Sequence, residues 1–473
     1  MIQFGTGGWR AIIADEFTKA NIRLLCQGLA DMMREEDVVE RGIIIGYDRR
    51  FLSKESAEWA AEVLAGNGIA CRIINQEAPT PLIMFTVKRQ GTAYGLAITA
   101  SHNPAHYNGI KLFTSGGRDA EEAVTRKLEN HISQVQPEMI KAIALPLAER
   151  QGLVVRINPF NQYIDTIISS GNMDAIRGRN LKVALDPMFG VSRTSLQTIL
   201  MTARCEVEVI HERRDTLFGG RLPSPNVETL NALKQVVLEH QCDLGIATDG
   251  DADRLGIIDD KGRFLHPNQI LVLLYHYLVA RKGWRGPCVR NLATTHMLDR
   301  IAAYFGETCY EVPVGFKHVS SKMQETGAVI GGESSGGLTV RGHIPGKDGI
   351  YAASLLVEML AVTGDSLSDL YQNITAQFGE LFMTESDYRF TEETKKTILQ
   401  QLMVDKNLPA FTEKVEKVSW SDGCKVYFEN GGWIIARFSG TEPLLRIFCE
   451  MSTLAQAEKT AGLLAGHLGL SAG

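Results

Sequence analysis

At 473 residues the chain is long enough for about three domains of roughly 150 residues each. Its formal charge is −6 with no acidic or basic tail, and 44% hydrophobic and 22% charged residues are ordinary globular values, so nothing invites nucleic acid or an anionic membrane surface. The longest apolar run, Ile270–Ala280, is interrupted by His276 and reaches about half the length a bilayer requires.

No basic stretch leads into an apolar core at the N-terminus, and the eight cysteines include no C-x-x-C pair. Both features predict a cytoplasmic protein whose cysteines are small buried hydrophobes rather than zinc ligands or disulfides. In chain order, Thr18 predicts the cap of a helix with Ile22, Leu25, Cys26, Leu29 and Met33 on one face. Gly42–Gly46 reads as a buried strand running into the polar Tyr47-Asp48-Arg49-Arg50. Ser53 opens a second helix that stops at Gly66–Gly68, and Ile69–Ile74 is the next strand. Helices between short β-branched runs predict βαβ units and largely parallel sheets.

The pattern recurs with strands at Leu181–Leu185 and Leu244–Thr248 around a helix carrying Leu230, Leu233 and Val237. An apolar helix then starts at Pro267, and strands follow at Pro287–Arg290 and Ala328–Ile330. Two stretches read as linkers: Gln134–Gly152, with Pro137 and Pro146, and Thr363–Gly379, with a polar DSLSD run. Beyond Met383 the strands alternate more and lengthen (Val415–Ser419, Trp433–Phe438), and an amphipathic helix with Leu454, Ala457, Ala461, Leu464 and Leu468 ends the pattern. The predicted architecture is α/β: three similar mixed α/β domains (1–140, 155–255, 256–370) and a C-terminal α+β domain (380–473).

Three apolar strands each run into a polar, glycine-rich loop, and ligands in parallel sheets sit at such carboxyl ends. The most specific loop is Asp249-Gly250-Asp251-Ala252-Asp253-Arg254, whose alternate carboxylates can converge on one hard divalent cation. It is not a calcium EF-hand, which needs glycine where Arg254 stands and a bidentate glutamate where Asp260 stands. A solvated acidic turn is the plainer alternative, but three bunched carboxylates after a buried strand are costly without a counter-ion. Thr99-Ala100-Ser101-His102-Asn103-Pro104 offers a hydroxyl that is either a loop hydroxyl or, beside a metal, a phosphoryl carrier. Lys111 is a proton-transfer group, a charge partner or a surface lysine. Gly331–Gly337 mixes Glu333 and hydroxyls suited to sugar recognition, and Arg437–Pro443 has the chemistry of a phosphate cradle. Neither a P-loop nor a dinucleotide fingerprint is present.

Five motifs in order (Phe4–Arg10 FGTGGWR, Thr99–Pro104 TASHNP, DGDADR, Gly332–Gly336 GESSG and Arg437–Pro443 RFSGTEP) resemble those of the α-D-phosphohexomutase family along the whole chain. The resemblance implies four domains around a central cleft, the last similar to the TATA-binding-protein fold. It implies a catalytic phosphoserine, one Mg2+ and a hexose 1,6-bisphosphate intermediate. By the same resemblance Ser101 with His102 matches the phosphoserine motif, and Ser101, Asp249, Asp251 and Asp253 hold the metal. Arg10 and Arg254 match active-site arginines, and Lys111 a proton-transfer lysine. Lys317, Glu333 and Ser335 match sugar-binding residues, and Arg437, Ser439, Gly440 and Thr441 the distal phosphate loop.

Gly337 stands where the glucosamine and bifunctional mannose/glucose branches of that family carry histidine, and Val314-Gly315-Phe316-Lys317 is similar to the G-W-K element of phosphoglucomutases. The expected activity is interconversion of glucose 1-phosphate and glucose 6-phosphate, with glucose 1,6-bisphosphate as intermediate and activator. Mannose phosphates are the alternative substrates, and a metal-dependent sugar-phosphate phosphatase the more distant alternative. The expected protein is a monomer or homodimer acting on small hexose phosphates, without nucleic acid or membrane.

Overall fold

The computed structural model describes residues 2–5, 7–439 and 444–470. The chain divides into two compact units, one of residues 1–274 with 335–370 and the other of 275–334 with 371–473. In the first unit, Ile43–Tyr47 is flanked in parallel by Cys71–Ile74 and Tyr94–Ile98, and Val154–Ile157 extends that edge in parallel. Tyr107–Thr114 and then Trp9–Ile12 close the other side antiparallel. The sheet is mixed rather than parallel because Tyr94–Ile98 returns through the short Ser101 loop instead of a crossover helix.

The second sheet of this unit places Leu244–Thr248 parallel to Lys182–Asp186, which also pairs in parallel with Glu206–Val209. Leu255–Ile258 folds back antiparallel on Leu244–Thr248, so the aspartate loop is the connection of a hairpin. Both central strands are buried throughout, which is why they read as unbroken apolar runs.

In the second unit Cys288–Asn291 pairs in parallel with Cys309–Val312 and Ile330–Gly332. A separate antiparallel sheet runs Phe382–Arg389, Leu444–Met451, Trp433–Phe438, Cys424–Phe428, Val415–Ser419. Its core gathers Val426, Ile434, Ile447 and Cys449 against Leu464 of the helix Leu454–His467.

Thr18 caps the helix Lys19–Glu35 as expected, its side chain accepting from Asn21 N. Both stretches read as linkers contain helical turns. Thr363–Gly379 contains the helix Leu367–Phe378, and its polar run is a cap, with Ser366 Oγ accepting from Asp369 N. Gln134–Gly152 contains a 3-10 turn at Pro137–Met139 and the helix Leu145–Arg150; both prolines lie in first turns, where a missing N–H costs nothing. All eight cysteines are free thiols, all but Cys309 buried. Among the described residues no single helix is long and apolar enough to cross a membrane.

Asp348 shows how side chains pin the first unit. It caps the buried helix Gly349–Thr363 by accepting from Ile350 N and Tyr351 N, and it also accepts from Tyr163 Oη at 2.7 Å and meets His343 Nε2 at 2.6 Å. Asp348→Ala orphans all four partners and should lower stability by about 2–4 kcal/mol in urea unfolding. Asp348→Asn should cost less than half as much. Equal losses would show that the carboxylate charge, not the hydrogen-bond set, holds this point.

Candidate active site

The first unit brings Ser101, His102, Lys111, Arg10, Arg254 and the three aspartates together. The Ser101 and aspartate loops leave the carboxyl ends of Tyr94–Ile98 and Leu244–Thr248. Ser101 is buried and its φ is +52°, the left-handed region, which costs a side-chain-bearing residue roughly 1–2 kcal/mol. Its Oγ donates to Asp249 Oδ2 at 2.7 Å, and His102 Nδ1 lies 3.4 Å from the same oxygen. Ala252, within the aspartate loop, is also left-handed at φ +62°.

Asp249, Asp251 and Asp253 are buried, and one carboxylate oxygen from each lies within 4.8 Å of the others. Lys111 Nζ bridges Asp251 Oδ2 at 2.6 Å and Asp253 Oδ2 at 2.7 Å, and Lys347 Nζ meets Asp253 Oδ2 at 2.9 Å. Thr80 Oγ1 donates to Asp251 Oδ2 at 2.6 Å. The other oxygens, Asp251 Oδ1 and Asp253 Oδ1, are buried without a hydrogen bond. Two orphaned carboxylate oxygens beside a third buried carboxylate fit a hard divalent cation.

The electrostatics follow from crowding. Burial, reinforced by Asp251 and Asp253, pushes the Asp249 carboxyl up to about 8. Burial and Asp253 oppose ionisation of Asp251, and the charge and hydrogen bond of Lys111 outweigh them. Asp253 lies well below the ordinary carboxyl range: burial works against ionisation, but Lys111, Lys347 and Arg254 prevail. Burial lowers Lys111 less than the two aspartates raise it, so its ammonium is firmly held. His102 falls well below its usual value through burial and the charges of Arg254 and Arg10, so it is neutral at pH 7. Arg10 Nη1 donates to Asn103 Oδ1 at 2.7 Å, and Arg254 Nε lies 4.0 Å from Asp253 Oδ1. Arg10 Nε and Arg254 Nε are buried without hydrogen bonds, two guanidinium donors ready for an anion.

The second unit assembles the other candidates. Glu333 is buried, and its Oε1 accepts from Asn291 Nδ2 and from Gly315 N, both at 2.9 Å. Gly315, at φ +127°, lets the chain turn into the helix Phe316–Thr326, whose first turn carries Lys317. Arg437 Nε donates to both oxygens of Asp422 at 2.9 Å, and Asp422 Oδ2 also accepts from Val314 N at 2.9 Å. Asp422 therefore ties the Arg437 strand to the Val314–Lys317 turn that Glu333 braces. Ser439 N donates to Leu444 O at 2.8 Å. Ser335 is exposed and belongs to the first unit, so the Gly332–Gly336 motif crosses the unit boundary. Gly440 and Thr441 lie outside the described residues.

Lys347 and Asp422 were not singled out in the sequence. Lys347 stands in a Gly-Lys-Asp-Gly run whose signal, a lysine just before a helix cap, is not specific. Asp422 is a plain turn residue until its partners are known.

Four family descriptions match in order: Phosphoglucomutase/phosphomannomutase, alpha/beta/alpha domain I over residues 1–139, domain II over 161–262, domain III over 266–378, and the C-terminal domain over 392–466. A phosphoglucomutase/phosphomannomutase of Thermococcus kodakarensis is 30% identical over 470 residues, 96% of each chain being covered. A probable phosphoglucosamine mutase of Methanothermobacter thermautotrophicus is 29% identical over 473 residues, covering 98% of each. The crystal structure of a putative phosphomannomutase from Thermus thermophilus superposes with a TM-score of 0.84 at 28% identity over 99% of each chain. The four-domain α/β expectation holds.

The shift at Asp249 has a measurable consequence. Metal-free protein at pH 7 keeps this proton, so a divalent cation must displace it. Magnesium affinity should rise with pH and level off above about 8, and calorimetry at pH 7 in two buffers of different ionisation enthalpy should report nearly one proton released. The metal-free protein should also lose stability as pH rises from about 4 towards 8, because the unfolded chain gives up the proton first. Affinity independent of pH, with no proton released, would contradict this reading.

Proposed function

The chain belongs to the phosphoglucomutase/phosphomannomutase family, and from that premise we propose that it interconverts glucose 1-phosphate and glucose 6-phosphate through a phosphoryl group carried on Ser101. The observation that carries this reading is the Ser101 Oγ–Asp249 hydrogen bond of 2.7 Å beside three clustered carboxylates. A serine hydroxyl set against a cation-ready carboxylate cluster suits phosphoryl transfer.

Asp249, Asp251, Asp253 and a Ser101 oxygen would hold Mg2+, which when bound offsets negative charge on the transferring oxygens. The chain's own residues do the rest. Transfer to a sugar hydroxyl breaks the bond between phosphorus and Ser101 Oγ and forms one to the sugar oxygen, and the proton given up by the hydroxyl ends on Ser101 Oγ. Lys111, held as an ammonium, relays it: it gives a proton to the departing serine oxygen and recovers one from the sugar hydroxyl. Arg10 and Arg254 bind phosphoryl oxygens through Nε donors that make no hydrogen bond within the protein among the described residues. Glu333, Ser335 and Lys317 bind the sugar, and Arg437, Ser439, Gly440 and Thr441 bind the second phosphate. With Nε committed to Asp422, the two Nη groups of Arg437 remain for that phosphate.

The glucose assignment rests on Gly337. A Cβ there would come within 2.2 Å of Lys347 Cδ, while Lys347 holds Asp253 at 2.9 Å. A side chain at this place, such as the histidine of the glucosamine and bifunctional branches, would press on the Lys347 methylenes and draw its ammonium off Asp253. Mannose phosphates are the second reading, favoured by the double name of the Thermococcus kodakarensis relative.

A coupled assay with the 1-phosphates of glucose, mannose, glucosamine and ribose should give the highest kcat/KM for glucose. A tenfold preference for another sugar would overturn the assignment, and no conversion of any would overturn the reaction. Ser101→Ala should fold normally and lose nearly all mutase activity; full activity in this variant is incompatible with the mechanism. Arg437→Ala should raise KM by about tenfold to a hundredfold, the loss of one or two charge-assisted hydrogen bonds. An unchanged KM would make Arg437 a bystander.

A further inference from the structure

The tripeptide Asp48-Arg49-Arg50 after the strand Ile43–Tyr47 ends in an arginine that the reaction has not yet used. Arg50 is 1% exposed. Its guanidinium serves four backbone carbonyls, three in the Ser101 loop and one at the start of the strand it leads into: Nη2 donates to Ser101 O and Asn103 O, both at 2.7 Å, and Nη1 to Pro104 O at 2.8 Å and Tyr107 O at 3.0 Å. Nε lies 3.3 Å from Asp48 Oδ2, and the ring of Phe218 stacks 4.8 Å away. Asp48 works on the other side of the same residue. It accepts from Thr99 Oγ1 at 2.7 Å, and Thr99 Oγ1 in turn accepts from Ser101 N at 2.8 Å. Ser101 is therefore held by its N–H through Thr99 and Asp48 and by its C=O through Arg50, in the left-handed conformation it would not adopt freely.

We infer that Arg50 is a positioning residue for the phosphoryl-carrying serine, setting the Ser101–His102 peptide so that Oγ faces the aspartate cluster and the His102 N–H is available to a phosphoryl oxygen. A trans peptide points its C=O and N–H in opposite directions, so a Ser101 carbonyl turned to Arg50 turns the His102 N–H away from it. Among the described residues that N–H makes no hydrogen bond. It is a spare backbone donor directly after the serine, of the kind that stabilises developing negative charge. Lysine cannot replace this arrangement, because a point ammonium with three donors does not reproduce a planar fork on four carbonyls.

This inference rests on the proposed phosphoserine, and the test separates the two. Arg50→Lys and Arg50→Ala are compared with wild type for melting temperature, kcat, KM and phosphate incorporated at Ser101 from glucose 1,6-bisphosphate. Arg50→Lys should fold and lose kcat by about a hundredfold, the scale of a misplaced reacting group, while KM changes by less than about threefold. Guanidinium chloride at low, non-denaturing concentration should restore part of the activity of Arg50→Ala by refilling the vacated site; ammonium chloride at equal ionic strength should not. If Arg50→Ala does not fold, the Arg50→Lys split between kcat and KM decides alone. Arg50→Lys with kcat within about threefold of wild type, or a loss seen only as unfolded protein, overturns the role of Arg50 while leaving the phosphoserine intact. Wild-type protein that takes up no phosphoryl group on Ser101 overturns both.

Discussion

Three carboxylates share one small buried space, and the rest of the first unit is arranged around that cost. Two like charges about 4 Å apart repel by roughly 4 kcal/mol even at an effective dielectric near 20. A trio approaches the whole stability of a domain, about 5–15 kcal/mol. The structure answers with cations from distant segments. Lys111 arrives on the strand Tyr107–Thr114 and Lys347 from the turn before the helix Gly349–Thr363, and both end on these aspartates. What they leave uncompensated is equally informative: burial and its two neighbours push the Asp249 carboxyl towards its protonated form, and two carboxylate oxygens accept no hydrogen bond. A site built to be finished by a divalent cation has this signature.

The same constraint explains why the serine is strained. Ser101 must bring its hydroxyl to Asp249 from a loop between two antiparallel strands, and a left-handed residue makes that turn. The strain is held by Asp48, Thr99 and Arg50, all on strands or loops of the same sheet. In the second unit Asp422 does comparable work, orienting Arg437 by Nε while bracing the Val314 turn. In both units a buried or half-buried charge is committed to geometry, and a second charge remains for the ligand.

Much of the fold and the main site was legible because the informative residues are contiguous. Apolar strands ending in polar loops marked where Ser101 and the aspartates would sit, and five ordered motifs marked the family. The misreadings also have physical causes. Pro137 and Pro146 looked like breakers but start helical turns, and the polar run before Leu367 is a helix cap, so irregular chain was expected where local chemistry fits two structures. Lys347, Asp422 and Arg50 act through partners far along the chain. An arginine whose acceptors are four backbone carbonyls leaves no trace in the identity of those residues.

A mutase requires Ser101 to give its phosphoryl group to sugar and not to water. Enzyme phosphorylated once on Ser101 and mixed with one equivalent of glucose 1-phosphate in a rapid-quench experiment tests this most directly. The proposed mechanism predicts that phosphoryl lost from Ser101 is matched one for one by glucose 1,6-bisphosphate, that its return to Ser101 is matched by glucose 6-phosphate, and that no inorganic phosphate forms. Inorganic phosphate appearing in step with the loss from Ser101 would contradict it, and would make the buried serine the intermediate of a phosphatase.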